Sequence, residues 1–194
     1  MQIDYYLSPV SPFTYLCGTR PAEIAARHGA TLRYRPVDPV ALFSRTGGLP
    51  PKDRHPNRQA YRLQELRREA ARLGMPIDLH PAHWPTNPAP ASYAIIAAQA
   101  DGSGDMGALV AALTRACWAE GRDVAEDDTI AACLTAAGFE PALATRGMLA
   151  GAESYGRNLE EAVASGAFGV PTFIVGQEVF WGQDRLGALD AFLG

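Results

Sequence analysis

The sequence predicts an α/β chain: a β–α–β unit at the start, a large all-helical insertion, and a β–β–α unit at the end. Three observations carry that prediction. Ile3, Tyr5 and Leu7 alternate with Asp4 and Tyr6 and are stopped by Ser8-Pro9 and Ser11-Pro12, as a short strand running into a turn would be. No segment between Val40 and Ser165 has strand character. Thr172-Phe173-Ile174-Val175 and Glu178-Val179-Phe180-Trp181 are then two short apolar runs separated by Gly176-Gln177, the pattern of a hairpin.

In chain order, Ser11 is a helix N-cap, with Pro12 at the first helical position and Phe13, Leu16 and Cys17 at helical spacing. The helix is expected to reach His28, kinked or split at Pro21, with Gly29 ending it. Thr31 to Val37 alternates again and forms a second strand, parallel to the first because a helical crossover joins them. Asp38-Pro39 closes this unit, and Arg45 to Lys52 reads as a flexible basic loop.

His55 to Leu73 is a long amphipathic helix. Tyr61, Leu63, Leu66, Ala70 and Leu73 supply its apolar stripe, and Arg58, Arg62, Arg67, Arg68 and Arg72 interleave with Glu65 and Glu69 as a solvated face. After a Pro-rich connection over 76–90, helices are expected over 92–100, from Asp105 to about Glu120, from Asp127 or Asp128 to Ala136, over 140–150 and over 154–165. Asp184 to Leu193 closes the chain as a helix. The expected division is residues 1–39 with 166–194, and 40–165 as the helical insertion.

Composition narrows the function classes. A formal net charge of −4 gives no reason to expect nucleic acid as a partner. No apolar run approaches the ~20 residues needed to cross a bilayer, and no basic segment precedes the first apolar stretch, so no membrane and a cytoplasmic location are expected. Cys17, Cys117 and Cys133 are far apart, form no C-x-x-C pair and read as reduced, mostly buried thiols. His55, His80 and His83 match no metal-ligand spacing, so no metal is expected. Ser8, beside Pro9, reads as a turn residue.

The chemistry centres on Ser11. A strand turning straight into a helix leaves unpaired N–H groups beside the Ser11 hydroxyl, a site suited to an anion such as a thiolate. At the other end Gly169-Val170-Pro171-Thr172 places a proline just before the third strand. A βαβ…ββα order with a special residue in the first turn and this proline before the third strand is the topology of a thioredoxin-like fold. There the proline is cis, and the backbone before it is a free edge on which an extended peptide can pair.

On these stretches the chain resembles the 2-hydroxychromene-2-carboxylate isomerase family, relatives of kappa-class glutathione transferases and of periplasmic thiol oxidases. The matching residues are Asp4-Tyr5-Tyr6, Ser11 to Leu16, Phe168 to Phe173 and Phe180 to Leu186, and the similarity spans the whole chain. The resemblance implies a homodimer with glutathione bound between the thioredoxin-like and helical parts. It places Ser11 at the glutathione sulfur, Val170 and the cis-proline Pro171 at its cysteinyl backbone, and Trp181, Gly182, Gln183 and Asp184 along its γ-glutamyl end. Thiol oxidases carry a C-x-x-C pair where this chain has Ser11 and Thr14, so disulfide chemistry is not expected.

The resemblance also implies addition of the glutathione thiolate to an aromatic-catabolism substrate such as a chromene carboxylate, then ring opening, rotation and elimination. Ionising the thiol at neutral pH needs a shift of about two pKa units, or about 2.7 kcal/mol. A helix N-terminus with up to about 2 kcal/mol and a hydrogen bond with about 1.5–3 kcal/mol would supply it. For the substrate, Arg54 matches the family; Phe43 stands where a lysine is usual, Asp53 where an asparagine is, and Trp84 where a tyrosine is. Arg45 or Lys52 would then replace the missing lysine charge. A glutathione transferase or peroxidase, and a non-catalytic glutathione- or ligand-binding module, are the competing readings.

Overall fold

The computed structural model describes all 194 residues. β1 (Gln2–Leu7) and β2 (Thr31–Pro36) pair in parallel, with Tyr5 opposite Tyr34. β3 (Thr172–Val175) runs antiparallel to β1 with Phe173 opposite Tyr5, and β4 (Glu178–Trp181) runs antiparallel to β3. The sheet order is β2-β1-β3-β4. The chain is thus a thioredoxin-like α/β fold whose strands all come from its two ends, with only helices between Pro36 and Thr172.

Alternation along the strands sends side chains to two cores. Ile3, Tyr5, Leu7 and Phe173 join one continuous buried cluster that runs on through Ile95, Leu109, Leu113 and Trp118 of the helical segment. Tyr5 stacks on Phe173 with ring centroids 4.6 Å apart. Tyr6 and Ile174 face the other way and pack with Val37, Leu42, Ala162, Ala167 and Val170.

The helix expected over 12–28, kinked or split at Pro21, is split into α1 (Pro12–Tyr15) and α2 (Arg20–Arg27). The break is not made by Pro21, which sits in the first turn of α2, where its missing N–H has no intrahelical partner to lose. The chain instead turns at Gly18, whose φ of +55° is in the left-handed region. A further helix, α3 (Pro39–Thr46), forms where no element was expected and takes in Arg45 and Thr46, the first two residues of the expected loop. Asp38 caps it, accepting from the Val40 and Ala41 N–H groups at 2.8 and 3.3 Å.

A 3₁₀ turn (Pro51–Asp53) leads to α4 (Pro56–Leu73), which Gly74 ends. α5 (Ala89–Asp101) begins earlier than expected, α6 (Met106–Trp118) is capped by Asp105, and α7 (Asp127–Ala136) has Glu126 at its cap with Asp127 and Asp128 in its first turn. The two helices expected over 140–150 and 154–165 divide differently, as α8 (Leu143–Arg146) and α9 (Met148–Ala164). α9 continues through Gly151 because it packs there against α5: a Cβ at Gly151 would lie 2.7 Å from the Tyr93 Cβ. A 3₁₀ turn (Gln183–Arg185) precedes α10 (Leu186–Leu193). No helix is long and apolar enough to cross a membrane.

Candidate active site

The turn from β1 into α1 is built from its own polar groups. Ser11 has extended dihedrals, its N–H donates to the Ser8 carbonyl at 3.0 Å, and its Oγ accepts from the Thr14 N–H at 3.3 Å. The Ser11 hydroxyl in turn donates to the Val170 carbonyl at 3.5 Å, the long end of the hydrogen-bond range. The Phe13 N–H, in the first turn of α1, meets no backbone carbonyl. Ser8 Oγ and Thr14 Oγ1 are buried beside this turn with no partner in the chain.

Facing Ser11, the Val170–Pro171 peptide is cis. Val170 lies just ahead of β3 and its N–H and C=O belong to no strand ladder. The flanking backbone is held firmly. Thr172 Oγ1 donates to the Gly169 carbonyl at 2.7 Å, and the Gly182 N–H donates to the Pro171 carbonyl at 2.9 Å. Gly182 has a φ of +113°, and a Cβ there would fall 2.4 Å from Asp184 Oδ1, so this position needs glycine. Trp181 is 52% exposed and its ring sits 4.8 Å from that of Phe168.

A cleft of about 680 Å³ opens in front of these groups, a size usual for small-molecule sites. One wall is Phe13, Val170, Pro171 and the run from Trp181 to Arg185; the other is Arg54 with Asn57, Arg58, Tyr61, Arg62, Glu65 and Glu69 of α4. Thus Arg54, Val170, Pro171, Trp181, Gly182, Gln183 and Asp184 meet in one cleft, and Ser11 stands one hydrogen bond behind its Val170 wall.

The family description that matches residues 2–194 is the DSBA-like thioredoxin domain. The chain belongs to the DSBA-like thioredoxin family. It is 28% identical to a 2-hydroxychromene-2-carboxylate isomerase of Sphingobium xenophagum, over 98% of this chain and 97% of that protein. It is 29% identical to another protein of that name from Pseudomonas putida, over 100% of this chain and 95% of that one. Among solved structures, a 2-hydroxychromene-2-carboxylate isomerase superposes with a TM-score of 0.78 at 27% identity, covering 100% of this chain and 95% of that one. The cytosolic disulfide reductase DsbM of Pseudomonas aeruginosa shares the fold, with a TM-score of 0.70 at 21% identity, over 100% of this chain and 97% of that one.

Within this DSBA-like frame, the remaining marked residues fall outside the cleft walls. Phe43 lies on α3 beneath Arg54, whose guanidinium carbon is 5.5 Å from its ring centroid. Asp53 is exposed in the 3₁₀ turn, and Lys52 beside it is exposed as well. Arg45 pairs with Glu160 of α9 through two contacts of 2.8 and 3.0 Å, away from the cleft. Trp84 donates its Nε1–H to the Val10 carbonyl at 3.2 Å and packs against Trp118. His55 caps α4 by accepting from the Asn57 N–H, and no group of three or more His, Cys, Asp or Glu side chains gathers in one place.

The α4 face expected to be solvated forms half the cleft instead. Arg58, Arg62, Glu65 and Glu69 are spaced by four, three and four residues, which puts them on one side of the helix, together with Tyr61, which is 58% exposed rather than buried in the apolar stripe. The spacing was visible in the sequence; the surface it would meet was not. Glu65 bonds Arg68 and the Tyr61 hydroxyl, and Glu69 is held below its ordinary pKa first by its bond to Arg72. Asp184 pairs with Arg185 at 3.0 Å near the surface, an exposed contact that exchanges easily for another cation. Burial pushes the Arg54 pKa down, and the neighbouring Arg58 adds to the effect. Arg62 is pushed down to about 10, first by burial and then by Arg54. The Cys17 thiol donates to the Phe13 carbonyl, and burial pushes its pKa up to about 12, so it is a core thiol and not a nucleophile.

Proposed function

We propose that the chain is a glutathione-dependent isomerase of the 2-hydroxychromene-2-carboxylate type, acting on a small aromatic carboxylate. The curated relatives carrying that name match along nearly their whole length. The observation that carries the reading is Ser11 itself: a hydroxyl in the first turn of a DSBA-like fold, with Thr14 three residues on, facing a Val170 whose backbone groups are outside the ladder. Such a pair cannot form a disulfide, and it can donate a hydrogen bond to a sulfur that a cofactor brings.

The residues present fit glutathione. The Val170 N–H and C=O suit pairing with an extended peptide backbone. Asp184 offers a carboxylate to an ammonium group, with Trp181 to Gln183 lining the approach. When bound, glutathione supplies a thiolate nucleophile for reversible addition to an unsaturated substrate. Ser11 turns its proton from the distant Val170 carbonyl toward the sulfur and favours the ionised form. The Phe13 N–H adds a second donor at the same turn.

The size of the effect differs from what one long helix would provide. α1 has only four residues, so few peptide dipoles are aligned behind Ser11. The hydrogen bond from Ser11, worth about 1.5–3 kcal/mol to a charged acceptor, therefore carries most of a shift of about one to two pKa units. The test is a titration with glutathione followed by the ultraviolet thiolate band, paired with turnover of 2-hydroxychromene-2-carboxylate. Wild type should show the band and need glutathione for turnover, and Ser11→Ala should lose both. Turnover without glutathione would overturn the reading.

A further inference from the structure

We infer that Arg62 is the residue that receives the substrate's carboxylate and so sets the preference of this cleft for organic acids. The cleft wall carries an imbalance of charge. A charged side chain withdrawn from water is costly unless it is paired. Arg62 is partly buried in the cleft wall and makes neither a hydrogen bond nor an ion pair within the chain. The acids on its side of α4 are engaged elsewhere, Glu65 with Arg68 and Glu69 with Arg72.

What Arg62 has instead is aromatic support. Its guanidinium carbon lies 5.5 Å from the Trp84 ring centroid and 6.0 Å from that of Trp118. Rings hold a guanidinium by its face and leave the N–H groups at its edge free for a planar, two-point acceptor such as a carboxylate. Trp84 is itself anchored to the Val10 carbonyl, so the platform is fixed before a ligand arrives. Arg54 brings a second positive charge close enough to lower the Arg62 pKa, yet its own Nε is bonded to the Leu49 carbonyl. Two like charges facing one cleft repel, and an anion between them relieves the repulsion. The residues suited to glutathione lie on the opposite wall, Val170 and Trp181 to Asp184, which leaves Arg62 for the substrate.

The identity of the substrate rests on the isomerase reading, but the carboxylate site does not need glutathione to be measured. Binding of chromone-2-carboxylate and of its uncharged analogue chromone-2-carboxamide is followed calorimetrically, with and without glutathione, in wild type, Arg62→Ala and Arg62→Lys. Arg62→Ala should weaken the carboxylate about 10- to 100-fold, the size of a lost hydrogen bond to a charged group. The carboxamide and glutathione affinities should stay unchanged. Arg62→Lys, which keeps the charge and loses the two-point fork, should recover only part of the preference and reads the same ratio if the alanine variant does not fold.

Equal weakening of both probes would overturn the inference in favour of a packing role. A selective loss of glutathione affinity would overturn it in favour of the glycyl carboxylate of glutathione. A wild type that does not distinguish the two probes would overturn it outright. Failure of the Ser11 reading shows separately, as a missing thiolate band in wild type.

Discussion

Ser11→Ala separates the cap that this hydroxyl supplies from the thiolate contact proposed for it. In the folded chain Ser11 Oγ accepts from the Thr14 N–H at 3.3 Å, so its removal leaves a buried donor without its cap. Loss of an N-cap acceptor typically costs about 1 kcal/mol, and the long distance here argues for no more than that. The proposed second role is the hydrogen bond to a bound thiolate. Its loss, about 1.5–3 kcal/mol, divided by 1.36 kcal/mol per unit, raises the thiol pKa of bound glutathione by about one to two units. At neutral pH the thiolate-to-thiol ratio then falls about 10- to 100-fold. The assay is a pH titration of the ultraviolet thiolate band at saturating glutathione, alongside urea unfolding of both proteins. Ser11→Thr, which keeps a hydroxyl and a cap acceptor, should retain most of both. A bound-thiol pKa that does not move in Ser11→Ala refutes the reasoning, because the cap alone would then account for the serine.

Three further outcomes follow from other parts of the structure. Cys17, Cys117 and Cys133 are all free and buried, with Cys17 and Cys117 pushed up to about 12 by burial, so a thiol-specific disulfide reagent should label none of them in the native protein and all of them in denaturant. Burial acts to raise the Asp123 pKa but is outweighed by the bond from Thr86 Oγ1 at 2.6 Å and that from the Ala125 N–H, which hold it below its ordinary value. A carboxyl depressed on folding stabilises above its unfolded pKa of about 3.9 and loses that contribution as pH falls through the folded value. Thr86→Val should therefore be less stable than wild type at neutral pH, with the gap closing as pH falls below about 4 in denaturant titrations. At Gly151 an added methyl meets the Tyr93 Cβ at 2.7 Å and its Cα at 3.1 Å, atoms that cannot swing aside. Gly151→Ala should be destabilising by about 1–2 kcal/mol despite alanine's better helix propensity, since overpacking outweighs it; a stabilised variant by thermal melting would show that α5 and α9 part easily.

What the sequence determined by itself was local. The alternation in β1 and β2, the Gly176-Gln177 turn, the Asp105 cap, Gly74 ending α4 and the Ser11 cap each depend on dihedral preferences and hydrogen bonds within a few residues, and each stands where those preferences put it. The Val170–Pro171 element is similarly local, and its cis peptide stands before β3 as the motif implies. Pro21 was misleading because its restriction is satisfied equally by breaking a helix or by starting one, and Gly18 took the break. The extent of α9 turned on a partner, Tyr93, more than 50 residues away.

The cleft was decided by tertiary structure alone. Five arginines on α4 look equivalent in the sequence, and the helix axis says only which of them share a side. That Arg62 is the one held against two tryptophans follows from where residues 84 and 118 arrive, after a Pro-rich connection and two further helices. That Arg45 is turned toward Glu160 follows from the packing of α3 near α9. Ser11 could be marked from its neighbours in the chain, whereas the cleft beside it exists only because α4 comes to face Pro171 and Trp181 in space.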